Sequence, residues 1–143
     1  MNKAAIATIA ASIAIGGLSY RNGIPLVEYQ TRCTKLQAMH ELLITAVDPS
    51  MSFTDGEARR TPEQAKLNAQ HGKGISNSLH LIGLARDKFL VINGKLTFDS
   101  SKYLQAGVLW EELGKNFGVP TRWGGRFSTV DAVHFSCEYQ GVK

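Results

Sequence analysis

Hydrophobic and polar positions divide the chain into two unequal parts. Residues 4–20 carry no charge, lie between Lys3 and Arg21, and mix Ile6, Ile9, Ile13, Ile15 and Leu18 with Ala, Gly, Ser and Thr. As a helix this stretch would be roughly 25 Å long, slightly short of a bilayer's hydrocarbon core. Beyond Asn22-Gly23 and Pro25 the pattern becomes that of a folded domain, residues 22–143. Leu36, Met39, Leu43 and Val47 recur at three- and four-residue spacing and predict an amphipathic helix. Asp48-Pro49 ends it, because proline disfavours helix in the residue before it. Residues 52–57 predict a strand end and a turn.

A second helix start stands at Thr61-Pro62-Glu63-Gln64. Thr61 serves as N-cap, Pro62 takes the first helical position and Gln64 completes a capping box. That helix is expected to reach Gln70, where His71-Gly72-Lys73-Gly74 breaks it. Residues 79–96 turn to strand type, with Leu84, Phe89, Val91 and Ile92, and Asn93-Gly94 marks a hairpin. A further helix is predicted over residues 101–117, with Leu104, Val108, Leu109 and Leu113 on its apolar face, Gly118 as cap and Pro120 as stop. Residues 122–138 read as a Gly-rich loop and a short strand. Helices flanking a small antiparallel sheet make an α+β domain, with the apolar segment 1–21 ahead of it as an N-terminal helix.

A chain of 143 residues has room for one domain and can hold a core without a staple. Its 43% hydrophobic and 20% charged residues are those of an ordinary globular protein. The net charge of +4 suits an anionic polymer or a membrane surface as partner. Lys and Arg are scattered, with no basic run and no interleaved aromatics, so nucleic-acid binding is not expected. Cys33 and Cys137 have neither zinc-ribbon nor thioredoxin-type spacing. In an oxidising compartment they could pair; two buried thiols are the expectation.

His80, Asp87, Asp131 and His134 carry the candidate chemistry. Two histidines and an aspartate are a competent zinc set that leaves the fourth position to water, and zinc lowers the pKa of that water to about 7. A further carboxylate can take the water's proton and hand it to a leaving amine. Asp131, three residues before His134, can share a site with it from a tight turn. Composition alone does not single these residues out. His40 and His71 read as structural, and His40-Glu41 lacks the second His of an H-E-x-x-H site.

The surrounding residues decide. Ser78-Leu79-His80-Leu81-Ile82-Gly83-Leu84-Ala85-Arg86-Asp87 fits S-x-H-x-x-G-x-A-x-D at each fixed position. Trp123-Gly124-Gly125-Arg126-Phe127 follows, then Asp131-Ala132-Val133-His134-Phe135, while Arg60-Thr61-Pro62-Glu63-Gln64 upstream has the form R-T-x-x-Q. Over residues 53–139 these segments resemble the zinc motifs of the VanY-like D-alanyl-D-alanine carboxypeptidases and L-alanyl-D-glutamate endopeptidases. The short versions found in phages and prophages are the most similar.

The resemblance implies a zinc metallopeptidase that hydrolyses peptidoglycan stem peptides, with Zn2+ bound on the sheet of the 22–143 domain. His80, Asp87 and His134 would be the zinc ligands and Asp131 the general base and acid. Arg60 would bind the substrate carboxylate or the developing oxyanion, as suits a planar five-donor cation. Ser78 would hydrogen-bond near the ligands or the substrate. Gly83 is explained by backbone geometry and Ala85 by packing beside the metal strand.

Three departures stand out. Arg86 and Lys88 flank Asp87 where the family commonly has aliphatic residues, which fits a solvated strand face or, alternatively, weakened metal binding or a decayed copy. The loop Ser128-Thr129-Val130 is slightly longer than in the family, and Ser136 replaces a common acidic residue. An aspartate base and the weak N-terminal segment favour an endolysin-type L-alanyl-D-glutamate endopeptidase over a D-alanyl-D-alanine carboxypeptidase. A non-catalytic zinc-binding module would lack the base or the arginine. Residues 1–21 resemble the signal-anchor-release segments of some phage lytic enzymes, with no A-x-A cleavage site. That implies export, a transient inner-membrane tether through residues 4–20, and a periplasmic monomer causing host cell lysis.

Overall fold

The computed structural model describes residues 24–56 and 79–139. The apolar segment 4–20, Arg60, the helix starting at Thr61, His71 and Ser78 lie outside the described residues. Helix α1, Leu26–Val47, starts directly after Pro25, whose fixed φ of −54° suits a helix entry. Tyr29, Cys33, Leu36, Gln37, Met39, His40, Leu43 and Ile44 are its buried residues, one stripe at helical spacing. Past its end the Asp48 carboxylate accepts from the Ser50 N–H at 3.0 Å and from the Ser50 hydroxyl at 2.6 Å. This turn delivers the chain into β1, Met51–Asp55.

The sheet is built around β2, Ala85–Ile92. On one edge β2 pairs antiparallel with β1, from Met51 opposite Ile92 to Asp55 opposite Lys88. On the other edge its start pairs with β5, His134–Cys137, and its end with β3, Lys95–Thr97. The β2–β3 turn is the predicted Asn93-Gly94, with φ of 50° and 76°. Strand β4, Thr121–Trp123, lies outside β5, giving the order β1-β2-β5-β4 with β3 on β2. Residues 79–82, grouped with the strands by their sequence, form a 3-10 turn instead. β4 takes residues assigned from sequence to the Gly-rich loop.

Helix α2, Leu104–Phe117, buries Leu109 and Leu113 of the apolar face predicted for it, but not the other two positions. Leu104 and Val108 are exposed. The buried residues are Ala106, Gly107, Leu109, Trp110, Leu113, Gly114 and Phe117. The physical reason is close approach: a Cβ on Gly107 would lie 2.1 Å from the Trp123 ring, and one on Gly114 2.1 Å from the Thr121 hydroxyl. The helix therefore meets β4 along its glycines as well as through Trp110. Trp110 Nε1 donates to the carbonyls of Arg122 and Ser136, both at 3.1 Å, tying α2 to the sheet.

Helix α1 covers the same face of the sheet. Gln37 Nε2 donates to the Phe135 carbonyl at 2.9 Å, and Tyr29 donates to the Glu138 carbonyl. Cys33 and Cys137, expected as separate thiols, form a disulfide between α1 and β5. Sequence separation hid this contact, since 104 positions lie between the two cysteines. Among the described residues no helix is long and apolar enough to cross a membrane.

Candidate metal centre

The antiparallel register sets Ala85 opposite Ser136, Arg86 opposite Phe135 and Asp87 opposite His134. Side chains alternate between the faces of a sheet. Phe135 and Lys88 point towards the helices, where they meet His40, so Asp87 and His134 share the other face. His80 arrives from the 3-10 turn Leu79–Ile82. The turn closes with the Leu84 N–H on the Leu79 carbonyl at 3.0 Å and is reversed by Gly83 at φ +69°, a conformation that side chains with a Cβ rarely adopt. The geometric role expected of Gly83 is therefore met.

These three side chains converge. His80 Nε2 is 3.3 Å from His134 Nδ1 and 3.4 Å from Asp87 Oδ1, and His134 Nδ1 is 3.6 Å from the same oxygen. His80 and His134 are buried, and the Asp87 side chain is 19% exposed. Asp87 Oδ1 and His134 Nε2 are buried polar atoms with no hydrogen-bond partner among the described residues. Four ligands placed tetrahedrally about 2.0–2.1 Å from an ion lie roughly 3.3 Å from one another, close to the edges of this triangle. The donor set and its spacing fit a divalent metal ion. Burial alone would raise the Asp87 carboxyl, but contacts with His134 and His80 outweigh it and hold the group at about 2. Asp87 is thus a carboxylate throughout the useful pH range.

The turn before His134 is shaped by Gly124. Its carbonyl accepts from the Asp131 N–H at 2.9 Å and from the Phe127 N–H at 3.2 Å. A Cβ there would stand 2.0 Å from the Asp131 carbonyl oxygen and 2.9 Å from His134 Cβ, so only glycine fits. Trp123 Nε1 holds the Ala132 carbonyl at 2.8 Å, and the Asp131 carbonyl accepts from the His134 N–H at 3.1 Å. Trp123 and Gly124 therefore clamp the loop that carries Asp131 and presents His134. Asp131 itself is exposed in this loop.

No family model and no curated protein matches the chain. Among solved structures it is similar to the crystal structure of the Serratia marcescens L-Ala D-Glu endopeptidase ChiX. The two are 23% identical, with 73% of this chain and 79% of that chain covered, at a TM-score of 0.60. The fold is shared. The small α+β architecture with its antiparallel sheet agrees with that expected from the sequence.

The remaining candidates separate cleanly. His80, Asp87 and His134 are brought together, whereas Arg60 and Ser78 lie outside the described residues. His40 is a core histidine, as expected: its Nε2 meets the Ala106 carbonyl at 2.8 Å and must donate, since a carbonyl only accepts. Burial, with the nearby Lys88 charge, holds His40 well below its usual pKa, so it is neutral. Lys88 departs from the expected solvated strand face. It is fully buried, with Nζ 3.1 Å from the Gln37 carbonyl, 3.2 Å from His40 Nδ1 and 3.6 Å from Glu41, beneath the rings of Phe53, Trp110 and Phe135. Arg86 is half-buried and pairs with Asp55 at 3.1 Å. Sequence reasoning assigned no role to Phe127, whose ring lies 5.4 Å from that of His134. Its place in the Trp123-Gly124-Gly125-Arg126-Phe127 segment was the available signal.

Proposed function

We propose that the protein is a zinc-dependent peptidoglycan peptidase that cuts the L-alanyl-D-glutamate bond of the stem peptide. One observation carries the reading: two histidines and a carboxylate converge to 3.3–3.6 Å, in the fold of an endopeptidase that cuts this kind of bond. Zinc bound by His80, Asp87 and His134 would supply a water acidified to about pKa 7 and a Lewis acid for the peptide carbonyl. Asp131 takes the proton of the attacking water and passes it to the leaving amine. Arg60 holds the substrate carboxylate or the oxygen on which negative charge develops. Asp87 stays ionised as a ligand, and the clamp by Trp123 and Gly124 fixes the direction of His134.

The Cys33–Cys137 disulfide favours an oxidising compartment, where such bonds persist. It agrees with export through residues 4–20 to the periplasm, first tethered and then free, as in an endolysin. Fractionation should then find full-length protein in the inner membrane and the periplasm; recovery from the cytoplasm alone would contradict export.

Digestion of purified sacculi, with mass analysis of the products, tests the bond. New amino termini on D-glutamate, lost on adding a chelator, are expected. Release of D-alanine alone would make the protein a carboxypeptidase instead. Intact sacculi with the metal-loaded protein would make it a non-catalytic zinc-binding module.

A further inference from the structure

A cavity of about 320 Å³ opens beside the metal-binding face, lined by Arg122, Arg126, Phe127, Ser128 and Thr129. Phe127 is the wall it shares with the candidate centre. Its ring centroid is 5.4 Å from that of His134, and the Arg122 guanidinium lies 4.6 Å over it. One aromatic ring therefore touches both a proposed metal ligand and a guanidinium. Stacking on Phe127 leaves the guanidinium edge to make in-plane hydrogen bonds. The nearest approach of Arg122 to Glu138 is a long one, 3.6 Å at Nε. Arg126 is more fully engaged, with Nε 3.0 Å and a terminal nitrogen 3.3 Å from the Glu111 carboxylate. Ser128 and Thr129 add hydroxyl donors at the rim.

We propose that this cavity is a carboxylate subsite for the peptide substrate, with Arg122 as its anchor and Ser128 and Thr129 as auxiliary donors. The inference rests on the peptidase reading for the identity of its ligand. An extended residue advances about 3.5 Å, so a carboxylate reaching past Phe127 sits within two or three residues of the scissile bond. A stem peptide whose third residue is lysine offers two such groups: the free carboxylate of the D-glutamyl residue and that of the chain end. A planar carboxylate matches the guanidinium fork, and a carboxamide of the same shape lacks its charge.

Calorimetric binding of short stem peptides to the metal-loaded protein separates the possibilities. One peptide carries both carboxylates, a second is a carboxamide at the glutamyl residue, and a third is a carboxamide at its C-terminus. Amidation of the recognised group is expected to weaken binding about 10- to 100-fold, as for a hydrogen bond to a charged partner. The peptide affected names the source. Arg122→Gln should erase that difference while leaving metal content unchanged, and Arg126→Gln should reduce it only a few-fold. Equal binding of all three peptides by the wild-type protein would overturn the subsite, whether or not the variants fold. So would a carboxylate preference that survives in folded Arg122→Gln. Cleavage without carboxylate preference leaves the peptidase standing and removes the subsite. Carboxylate-selective binding without cleavage does the reverse.

Discussion

Asp87 and Lys88 are consecutive residues of one strand, both charged and both withdrawn from solvent, and they meet opposite surroundings. On the helix side, Lys88 Nζ has a carbonyl, an imidazole nitrogen and a carboxylate within 3.6 Å, and His40 uses both ring nitrogens. On the other side, Asp87 Oδ1 faces two imidazole nitrogens at distances too long for good hydrogen bonds. On the helix side Gln37 Oε1 also lacks a partner among the described residues, but it converges with no other such group. Burial of polar groups therefore does not by itself mark a site. Convergence of groups whose needs their neighbours leave unmet does.

The comparison is broken most severely by substitutions on the Asp87 side. His134→Ala should abolish metal binding and reduce peptidase turnover to background, because a three-ligand site loses its geometry with any one member. Elemental analysis and sacculus digestion are the measurements, with about one zinc per chain expected in the parent protein. A variant that keeps both metal and activity would remove His134 from the site. Asp131→Ala sharpens the same point. It should retain zinc yet lose about 100- to 10,000-fold in turnover, the usual worth of general acid–base help. Loss of the metal would instead make Asp131 a ligand.

On the helix side the largest effect belongs to the disulfide. Closing a loop of 104 positions is worth about 4–5 kcal/mol in the chain-entropy account. Cys33→Ser should lower the denaturant midpoint accordingly while leaving metal affinity of the folded protein nearly unchanged. An unaltered midpoint would mean that the link adds nothing to the packing of α1 on β5.

The convergent trio was legible because its motif is local: His80 and Asp87 lie on one short segment, and His134 follows its own signature. What brings His134 across to Asp87 is antiparallel register, a non-local property without a sequence period. Helix positions were legible from spacing and from Pro25, Asp48 and Gly118. The buried face of α2 was legible only at Leu109 and Leu113, because hydrophobicity counts leucines, whereas contact with β4 also depends on the absence of side chains at Gly107 and Gly114. Lys88 was misread for a related reason. A charge normally signals solvent, and only the partners from α1 make its burial tolerable.

Lys88 also gives the smallest and most direct test of the contrast. Burial is the main cause that depresses its ammonium to about 7 from the usual 10.5; Glu41 opposes this in part. Between those two values the unfolded chain holds a proton that the folded chain has released, so stability rises with pH across this window. Below about 7 both states are protonated and the full cost of burying the charge is present. A one-proton difference corresponds to about 1.4 kcal/mol per pH unit. Wild-type stability should therefore climb relative to Lys88→Met between pH 7.5 and 9.5, by roughly 2–3 kcal/mol. Replacing a buried charge with an apolar chain of similar length is often neutral or stabilising, so Lys88→Met should be the more stable protein near pH 7. Denaturant unfolding of both proteins across the range measures the difference. Parallel curves would show that Lys88 keeps its proton in the folded state, sustained by Glu41 and the three rings. Metal content should be the same in both, since Lys88 and the ligands occupy opposite faces of the sheet.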